Sequence, residues 1–418
     1  MAEISTETMA GQVIQSVKKE CGVLVVGAGV AGIAAAVAAA REGITAVLVE
    51  KNSFPGGGAV MGRHRFICGL YSTGDRMPEG TLNEGIVREV VAGLRSLAPS
   101  KTALRRGKVF VLPFLTGDLI SVFSSLGAAE DRLEVCYDTR AVSVQTEGGN
   151  IVAVTARGFR EELDITPGAV VDCSGQGIII ALSGARYRMS PLRRRQLAGY
   201  AFTVRGLREA DDMLAVKVPY YLTQAANGKK VPVHLKFTTF AAGDQADEGY
   251  LRLNLPPAGR GDRNKQAKED AVLAHRYLSR VVSAFRGSAI ADMSDEVVDR
   301  EGLRLRGEYT LTEDDVLNAR KFPDGVVKSA WPIEFWDQGK GPRYGYLNPG
   351  EYYEIPLRCL KSIDISNLYC AGRCISASPQ ALGSIRVMGT CLSLGEEAGR
   401  AAAHSISRKS RGATDTGL

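Results

Sequence analysis

Residues 23–51 read VLVVGAGVAGIAAAVAAAREGITAVLVEK, an apolar run, a glycine loop, an alanine-rich segment, a second apolar run and an acid. Gly27 permits a tight turn from strand to helix, Gly29 lets the backbone approach a pyrophosphate, and Gly32 lets the helix pack closely on the strand. The stretch therefore predicts a βαβ unit that binds a dinucleotide. A glycine loop that only caps a helix is the alternative, but it would not require both flanking strands.

The same stretch predicts where parts of the dinucleotide would lie. Free N–H groups and the dipole at the helix N-terminus, at Val30 and Ala31, favour the pyrophosphate. Glu50 ends the second strand, at the distance where an acid hydrogen-bonds ribose hydroxyls. Lys51 follows it, and a second glycine cluster contains Gly57 and Gly58. We predict that all of these residues contact the cofactor.

Composition is that of an ordinary globular protein with more than one domain. The chain has 418 residues, of which 45% are hydrophobic and 23% charged, and a formal net charge of +6. This length exceeds a single average core. The basic residues are scattered except for Arg193, Arg194 and Arg195, and such a run is usually a solvated face, so nucleic-acid binding is not favoured. No apolar run reaches the length of a membrane span.

The cysteine pattern excludes common metal sites. The eight cysteines contain no CxxC pair, which argues against an iron–sulfur cluster or structural zinc, and we predict no metal. Without a signal peptide, the sequence predicts a reduced, cytoplasmic protein. Residues 1–20 are predicted to be a polar leader and residues 405–418 a flexible tail.

Local patterns predict several further elements. Residues 85–97 have helical spacing, with apolar residues at 86, 87, 90, 91 and 94 on one side. Residues 147–150 read EGGN, which is typical of a hairpin turn between two strands. A strand is predicted around residues 231–239, and helices near 265–285 and 390–404.

Three apolar strands end in glycine-bearing loops, at Gly27, Gly175 and Gly372. Strand ends gathered at one edge of a parallel sheet line a single ligand crevice. A ligand contacted by both ends of the chain must be long, and FAD fits that description better than NAD. The predicted fold class is therefore α/β, a Rossmann-like FAD-binding domain of residues 21–190 and 341–404, with an inserted α+β substrate domain of residues 191–340.

At these residues the sequence resembles the FAD-dependent oxidoreductase family with a glutathione-reductase-type FAD fold, in particular its bacterial group. The resemblance covers residues 23–58, 138–184 and 302–403. Its most specific stretch is AGRCISASPQALGSIRVMGTCLSLGEEAGRAAA (residues 371–403), supported by RGEYTLTEDDVLNARKFPDG (residues 306–325). VVDCSGQG (residues 170–177) is similar to the family's ATGDG motif, with Ser174 in place of threonine and Gln176 in place of aspartate.

The resemblance implies an FAD enzyme and assigns further cofactor contacts. Val142 would present its backbone to the adenine, Ser174 and Gly175 belong to the middle motif, and Gly372 and Arg373 would lie near the ribityl chain. The isoalloxazine ring would lie near the segment that contains Ile385, Val387, Met388 and Thr390. Thr390 is predicted to open the last helix, whose N-terminus would stabilise an anionic reduced flavin.

Residues 61–71, MGRHRFICGLY, depart from the small and hydroxyl residues that the family more often carries beside the flavin. Three interpretations of His64 stay open: a general acid or base, a covalent link to the flavin that Cys68 could also provide, or a residue that only satisfies local hydrogen bonds. Arg63, Arg65, Arg373 and Arg386 are predicted to form a positive rim for an anionic substrate. Arg63 and Arg65 pointing to solvent is the alternative. His64, Arg63, Cys68 and Arg386 are the candidate catalytic residues.

These observations predict an FAD-dependent dehydrogenase or oxidase that transfers a hydride between a small organic substrate and flavin N5, and the arginine rim would make that substrate an anion. No second glycine fingerprint follows residue 60, so no separate NAD(P)H domain is expected, and the electron donor or acceptor stays open. Two alternatives are a flavoprotein that modifies RNA and a flavin subunit of an electron-transfer complex. The sequence is also compatible with a homo-oligomer.

Overall fold

The computed structural model describes residues 4–9, 12–159, 161–208, 213–257 and 262–415. Up to residue 190 the chain forms, in order, β1 (Ile4–Met9), β2 (Gln12–Val26), α1 (Val30–Arg41), β3 (Ala46–Val49), α2 (Gly58–Met61), β4 (Phe66–Ile67), α3 (Ile86–Leu97), β5 (Leu104–Arg106), β6 (Val109–Pro113), α4 (Thr116–Ala128), β7 (Leu133–Cys136), β8 (Arg140–Glu147), β9 (Asn150–Arg157), β10 (Glu161–Asp172), α5 (Ile178–Ser183) and β11 (Tyr187–Arg188).

The elements after residue 190 are interspersed with short 3₁₀ helices at Leu192–Arg194, Val233–Phe237, Ser283–Phe285, Leu357–Cys359 and Gly372–Cys374. They are β12 (Ala198–Arg205), α6 (Leu214–Asn227), β13 (Thr239–Ala242), β14 (Gly249–Leu255), α7 (Arg263–Val281), β15 (Ala289–Met293), β16 (Arg304–Leu305), α8 (Glu313–Leu317), β17 (Gly325–Ser329), β18 (Ile333–Asp337), β19 (Gly341–Gly345), β20 (Tyr353–Pro356), β21 (Leu368–Cys370), α9 (Pro379–Ile385) and α10 (Met388–Asp415).

A parallel sheet with the order β7-β3-β2-β10-β21 forms the centre of the larger domain. The ends of these strands are in register, since Val26 pairs with Val49 and Asp172, Val49 with Cys136, and Asp172 with Cys370. The loops that contain Gly27, Gly175 and Gly372 therefore leave the sheet at one edge. This arrangement confirms the predicted Rossmann-like α/β fold and brings both ends of the chain to one crevice.

Local predictions within this domain are confirmed at α3 and at the hairpin. Helix α3 buries the five apolar residues that its spacing placed on one side. Strands β8 and β9 are joined by Gly148 and Gly149, both with positive φ, and the pair leads into the first half of β10. The predicted strand at residues 231–239 is wrong over most of its length, because Pro232 begins the 3₁₀ helix Val233–Phe237 and only residue 239 enters β13.

Helices α1 and α10 pack against each other so closely that their backbones are in contact. All residues of α1 from Val30 to Ala40 are buried. A methyl group added at Gly395 or Gly399 of α10 would lie 1.9 or 2.1 Å from the carbonyl oxygens of Ala31 and Ala35. The alanine and glycine content of the two helices therefore allows the C-terminal helix to support the βαβ unit that begins the domain.

The inserted domain has its own core. Strands in the order β13-β14-β12-β15 form an antiparallel sheet, and α6 and α7 cover it with a buried cluster that includes Tyr200, Phe202, Leu251 and Phe285. The sequence assigned residues 305–340 to the inserted domain. In the structure, this segment contributes buried side chains to the hydrophobic clusters of the larger domain.

Most of the predicted leader and most of the predicted tail belong to strands or to a helix. Residues 4–9 and 12–20 of the predicted leader form β1 and the first part of β2, and α10 continues through residues 405–415 of the predicted tail. Residues 1–3, 10–11 and 416–418 of these two segments lie outside the described part of the chain. Within the described ranges, no helix has the length and hydropathy needed to cross a membrane.

Candidate active site

A cavity of about 380 Å³ lies between the strand-end edge of the parallel sheet and the inserted domain, within the usual size range of ligand pockets. Its lining residues come from both domains. They are Val26, Gly27, Gly29, Val30, Ala31, Val49, Glu50, Lys51, Asn52, Gly56, Gly57, Gly58, Ala59, Met61, His64, Thr139, Arg140, Ala141, Cys173, Ser174, Gly175, Gln176, Ile178, Arg252, Glu296, Val297, Val298, Asp299, Arg300, Gly372, Arg373, Arg386, Met388 and Cys391.

The glycine loop between β2 and α1 forms part of the cavity wall. Gly29 precedes α1 with φ −66° and ψ −177°, and a methyl group added there would meet no atom within 4 Å. Gly32 is packed instead, since an added methyl group would lie 1.7 Å from the carbonyl oxygen of Gly27. The first N–H groups of α1 have no partner within the helix, so they are available to an anion at this point.

The second glycine cluster lies directly over the first. The N–H of Gly56 donates to the carbonyl oxygen of Ala28 at 2.8 Å, and a methyl group added at Gly57 would lie 3.0 Å from the α-carbon of Gly29. The two loops therefore pack directly against each other, backbone to backbone. Gly57 and Gly58 line the cavity, together with Val30 and Ala31.

Glu50 is almost fully buried at the end of β3. Its carboxylate accepts hydrogen bonds from the N–H groups of Ala28 at 2.6 Å and Asn52 at 2.9 Å, and from the Asn52 side chain at 2.7 Å. Burial raises the pKa of Glu50, and these donors offset that effect only in part. Lys51 pairs with Glu296 of the inserted domain at 3.0 Å, which closes the cavity at this side.

Asp172 fixes the backbone conformation of the middle motif, VVDCSGQG at residues 170–177. The Ser174 hydroxyl donates to the Asp172 carboxylate at 2.6 Å and accepts from the N–H groups of Gly177 and Ile178 at 3.0 Å. The same carboxylate accepts from the N–H of Ile179 at 2.8 Å. These bonds fix the turn that places Ser174 and its neighbouring glycine in the cavity wall.

Several residues that were predicted to contact the cofactor are not among those that line the cavity. Val142 is 37% exposed, and the wall beside it consists of residues 139–141. Ile385 is buried in the main core, and Val387 packs against the cluster around Trp331. Thr390 is buried with its hydroxyl 3.2 Å from that of Ser329. The last helix begins at Met388, two residues earlier than predicted, and Met388 lines the cavity.

His64 lines the cavity. Its backbone N–H donates to Ala59 at the end of α2, whereas no described residue forms a hydrogen bond with its ring. Burial, followed by the charges of Arg252 and Arg300, lowers the pKa of His64 well below its ordinary value. The imidazole is therefore neutral at pH 7 and can accept a proton from a molecule in the cavity.

Arg63, Arg65 and Cys68 lie away from the cavity lining. Arg63 pairs with Asp292 at 3.2 Å and Asp295 at 3.4 Å, and Arg65 pairs with Asp244 at 2.6 Å. Cys68 packs beside the Trp331 cluster, and burial raises the pKa of its thiol to about 12. Arg63 and Arg65 therefore join the inserted domain to the larger one.

The cationic wall is formed by arginines that the sequence analysis only partly identified. Of the four arginines predicted to form a positive rim, Arg373 and Arg386 line the cavity, together with Arg252 of β14 and Arg300 from the segment after β15. Arg373 donates to the carbonyl oxygen of Asp299 at 2.7 Å, and Arg386 donates to that of Glu334 at 2.9 Å. Arg252 and Arg300 carry no local motif, so they could not be singled out from the sequence.

Comparison with protein families gives a match over residues 22–413 to the family described as FAD dependent oxidoreductase. Comparison with curated proteins gives no match.

Comparison with solved structures gives matches at low sequence identity. CabE, an aromatic hydroxylase from angucycline biosynthesis, matches at 12% identity with a TM-score of 0.52, over 93% of this chain and 63% of CabE. A geranylgeranyl bacteriochlorophyll reductase-like protein from Thermoplasma acidophilum matches at 12% identity with a TM-score of 0.46, over 94% of this chain and 80% of the other. OxyS anhydrotetracycline hydroxylase from Streptomyces rimosus matches at 12% identity with a TM-score of 0.48, over 93% and 63%. At this identity the likeness concerns the fold.

Proposed function

The chain belongs to the FAD-dependent oxidoreductase family, and from that premise we propose that it transfers a hydride between flavin N5 and a small, anionic organic molecule held between its two domains. FAD is the cofactor of this family. The observation that carries the proposal is a single cavity whose walls run from the N-terminus of α1 to His64 and the arginines of the inserted domain.

The residues present fit FAD. The open space beside Gly29, next to the free N–H groups at the start of α1, suits a pyrophosphate. Glu50 would hold the adenosine ribose, and Arg373 would lie beside the ribityl chain. Bound FAD would supply a hydride acceptor or donor, while this chain supplies binding, orientation and proton transfer.

His64 is the proposed proton acceptor. When a hydride leaves the carbon of an alcohol or amine, the attached O–H or N–H must lose a proton, and a neutral imidazole beside the cavity can take it. Burial and the neighbouring arginines keep the ring neutral before the reaction, so a ring nitrogen is free to accept this proton. The substrate would thus lose one hydride and one proton in total.

A glutamine at position 64 tests the proton transfer. Because the pKa of His64 is lowered, we expect the wild-type rate of flavin reduction to fall only at pH values well below 6.5. We expect the His64→Gln variant to reduce flavin about 10²- to 10⁴-fold more slowly and to lose this acidic limb. Rapid-mixing absorbance under anaerobic conditions measures both. An unchanged rate in the variant would remove His64 from the reaction.

The class of reaction is tested by anaerobic bleaching of the FAD-loaded protein. Small hydroxy acids, amino acids, amines and neutral alcohols are added in turn, and the loss of flavin absorbance near its visible maximum is recorded. The proposal expects bleaching by at least one acid and none by its neutral analogue. Failure of the whole panel, together with salt-dependent retention on a nucleic-acid column, would favour the RNA-modifying alternative.

We expect the flavin to be held non-covalently. Cys68 is outside the cavity lining, and its raised pKa leaves little thiolate to form a link. Precipitation in acid should therefore leave the yellow colour in the supernatant. Colour retained in the pellet of wild-type protein, and lost from the pellet of His64→Gln, would instead assign a covalent link to His64.

A cytoplasmic location is part of the proposal. All eight cysteines are free, and six of them are buried, which suits a reducing compartment. The electron acceptor and a homo-oligomeric state are left to direct measurement.

A further inference from the structure

The cavity end next to His64 carries more positive charge than its own carboxylate neutralises. Arg252, Arg300 and Arg386 line it, and Glu334 is the buried acid on which all three act. Burial would raise the pKa of Glu334, but the arginines hold it below its ordinary value, so Glu334 is ionised. Three positive charges thus face one negative charge.

Glu334 does not pair directly with these arginines. Its carboxylate accepts a hydrogen bond from the Trp336 indole N–H at 2.6 Å, and no ion pair joins it to an arginine among the described residues. Arg386 reaches neutral acceptors only, the Gln196 side chain at 3.2 Å and the Glu334 carbonyl oxygen. The acid therefore moderates the charge of the cluster without occupying its guanidinium groups.

Arg300 is 4% exposed and rigidly held. Its guanidinium lies 4.6 Å from the centre of the Trp336 ring and donates to the carbonyl oxygen of Leu197 and to the Asn254 side chain. The Arg300 Nε and the Arg386 Nε are buried and have no hydrogen-bond partner. Buried donors of this kind are normally satisfied, which points to a missing acceptor.

Arg252 is half-buried, and in the part of the chain that the structure describes its guanidinium forms neither a hydrogen bond nor an ion pair. It lies flat against Gly199, where an added methyl group would be 3.0 Å from its Nη2. Burial and mutual repulsion lower the pKa of Arg300 and of Arg386, the latter to about 10. Burying two guanidinium groups such as those of Arg300 and Arg386 without enough negative charge nearby costs folding free energy, and a bound anion would offset that cost.

We propose that Arg252 and Arg300 bind a carboxylate group of the substrate and thereby select small carboxylic acids. A guanidinium is a planar fork that matches the two oxygens of a carboxylate. Both groups belong to the inserted domain and line the cavity. Their charges act on His64, so the carboxylate would be anchored near the proposed proton acceptor. This inference rests on the proposed function, because it names the substrate class of that site.

Equilibrium titration tests the inference without turnover. The FAD-loaded protein is titrated with benzoate and with succinate while the flavin spectrum is recorded, and benzamide and succinamide are the neutral controls. We expect both acids to bind more tightly than their amides. The Arg252→Met variant should bind the acids about 10- to 100-fold more weakly, as expected for loss of charge-assisted hydrogen bonds.

The control is Arg105→Met, which removes the same charge at an exposed pair with Asp75 and should leave acid binding unchanged. Since the Arg252 guanidinium has no hydrogen-bond or ion-pair partner among the described residues, Arg252→Met should melt no earlier than wild type without ligand. Earlier melting would indicate a structural role and overturn the inference. Equal acid affinity in wild type and Arg252→Met would do the same, as would tighter binding of inorganic phosphate than of either acid.

The flavin itself is the competing anion. If the cluster served the reduced flavin, Arg252→Met would lower the flavin midpoint potential and leave acid affinity unchanged, which would overturn the inference. Because the titration uses oxidised flavin, a protein that binds acids but is bleached by none would retain the carboxylate site while the proposed hydride transfer fails.

Discussion

Replacing Gly29 with alanine is expected to remove FAD binding and leave the fold intact. The φ and ψ angles of Gly29 suit any residue, and the added methyl group would meet no protein atom within 4 Å. It would instead project into the open space of the cavity beside the loop, where the pyrophosphate would approach the first N–H groups of α1. Loss of two charge-assisted hydrogen bonds would weaken FAD binding by about 100-fold or more.

The matched control for this variant is Gly117→Ala. Gly117 lies in the first turn of α4, and an added methyl group there also meets nothing within 4 Å, but it is not part of the cavity. Fluorescence titration of apoprotein with FAD gives both affinities, and urea unfolding of the apoproteins gives both stabilities. Full FAD affinity in Gly29→Ala would place the pyrophosphate elsewhere and contradict the assigned cofactor site.

The parts of this fold that could be predicted from sequence are those with a local physical signature. The βαβ unit has strand, loop and helix within 29 consecutive residues, 23–51, so all three elements are found where the pattern predicts them, although β2 begins already at Gln12 and β3 ends at Val49. The apolar face of α3 follows from the helical period. The convergence of Gly27, Gly175 and Gly372 was also predictable, because parallel strands align their carboxyl ends at one edge.

The substrate side of the cavity has no such signature. Arg252 lies within an antiparallel strand and Arg300 in an irregular segment, and only the folding of the inserted domain over the sheet edge brings them beside His64. The sequence instead drew attention to Arg63, because it is adjacent to His64. Its acidic partners, Asp292 and Asp295, are more than 200 positions away. Long-range ion pairs of this kind cannot be recognised in one sequence.

Replacing Gly32 with alanine is expected to damage the fold itself. The added methyl group would lie 1.7 Å from the carbonyl oxygen of Gly27 and 2.9 Å from its carbonyl carbon, both of them backbone atoms. Helix α1 would have to move away from the glycine loop, but α10 holds it from the other side, where Ala31 faces Gly395. Overpacking without room to relax should lower the free energy of unfolding by about 3 kcal/mol or more.

Gly29→Ala is the sharpest control for Gly32→Ala, because the two positions are three residues apart, Gly29 just before α1 and Gly32 in its first turn, and receive the same methyl group. We expect Gly32→Ala to lower the urea midpoint of the apoprotein and to yield little soluble protein, whereas Gly29→Ala keeps the wild-type midpoint. Both should lose FAD, the first through displacement of α1 and the second through obstruction of the space beside Gly29. A wild-type midpoint for Gly32→Ala would mean that α1 does not depend on this close approach. Different roles for the two glycines follow from the packing around them, and the motif alone does not separate them.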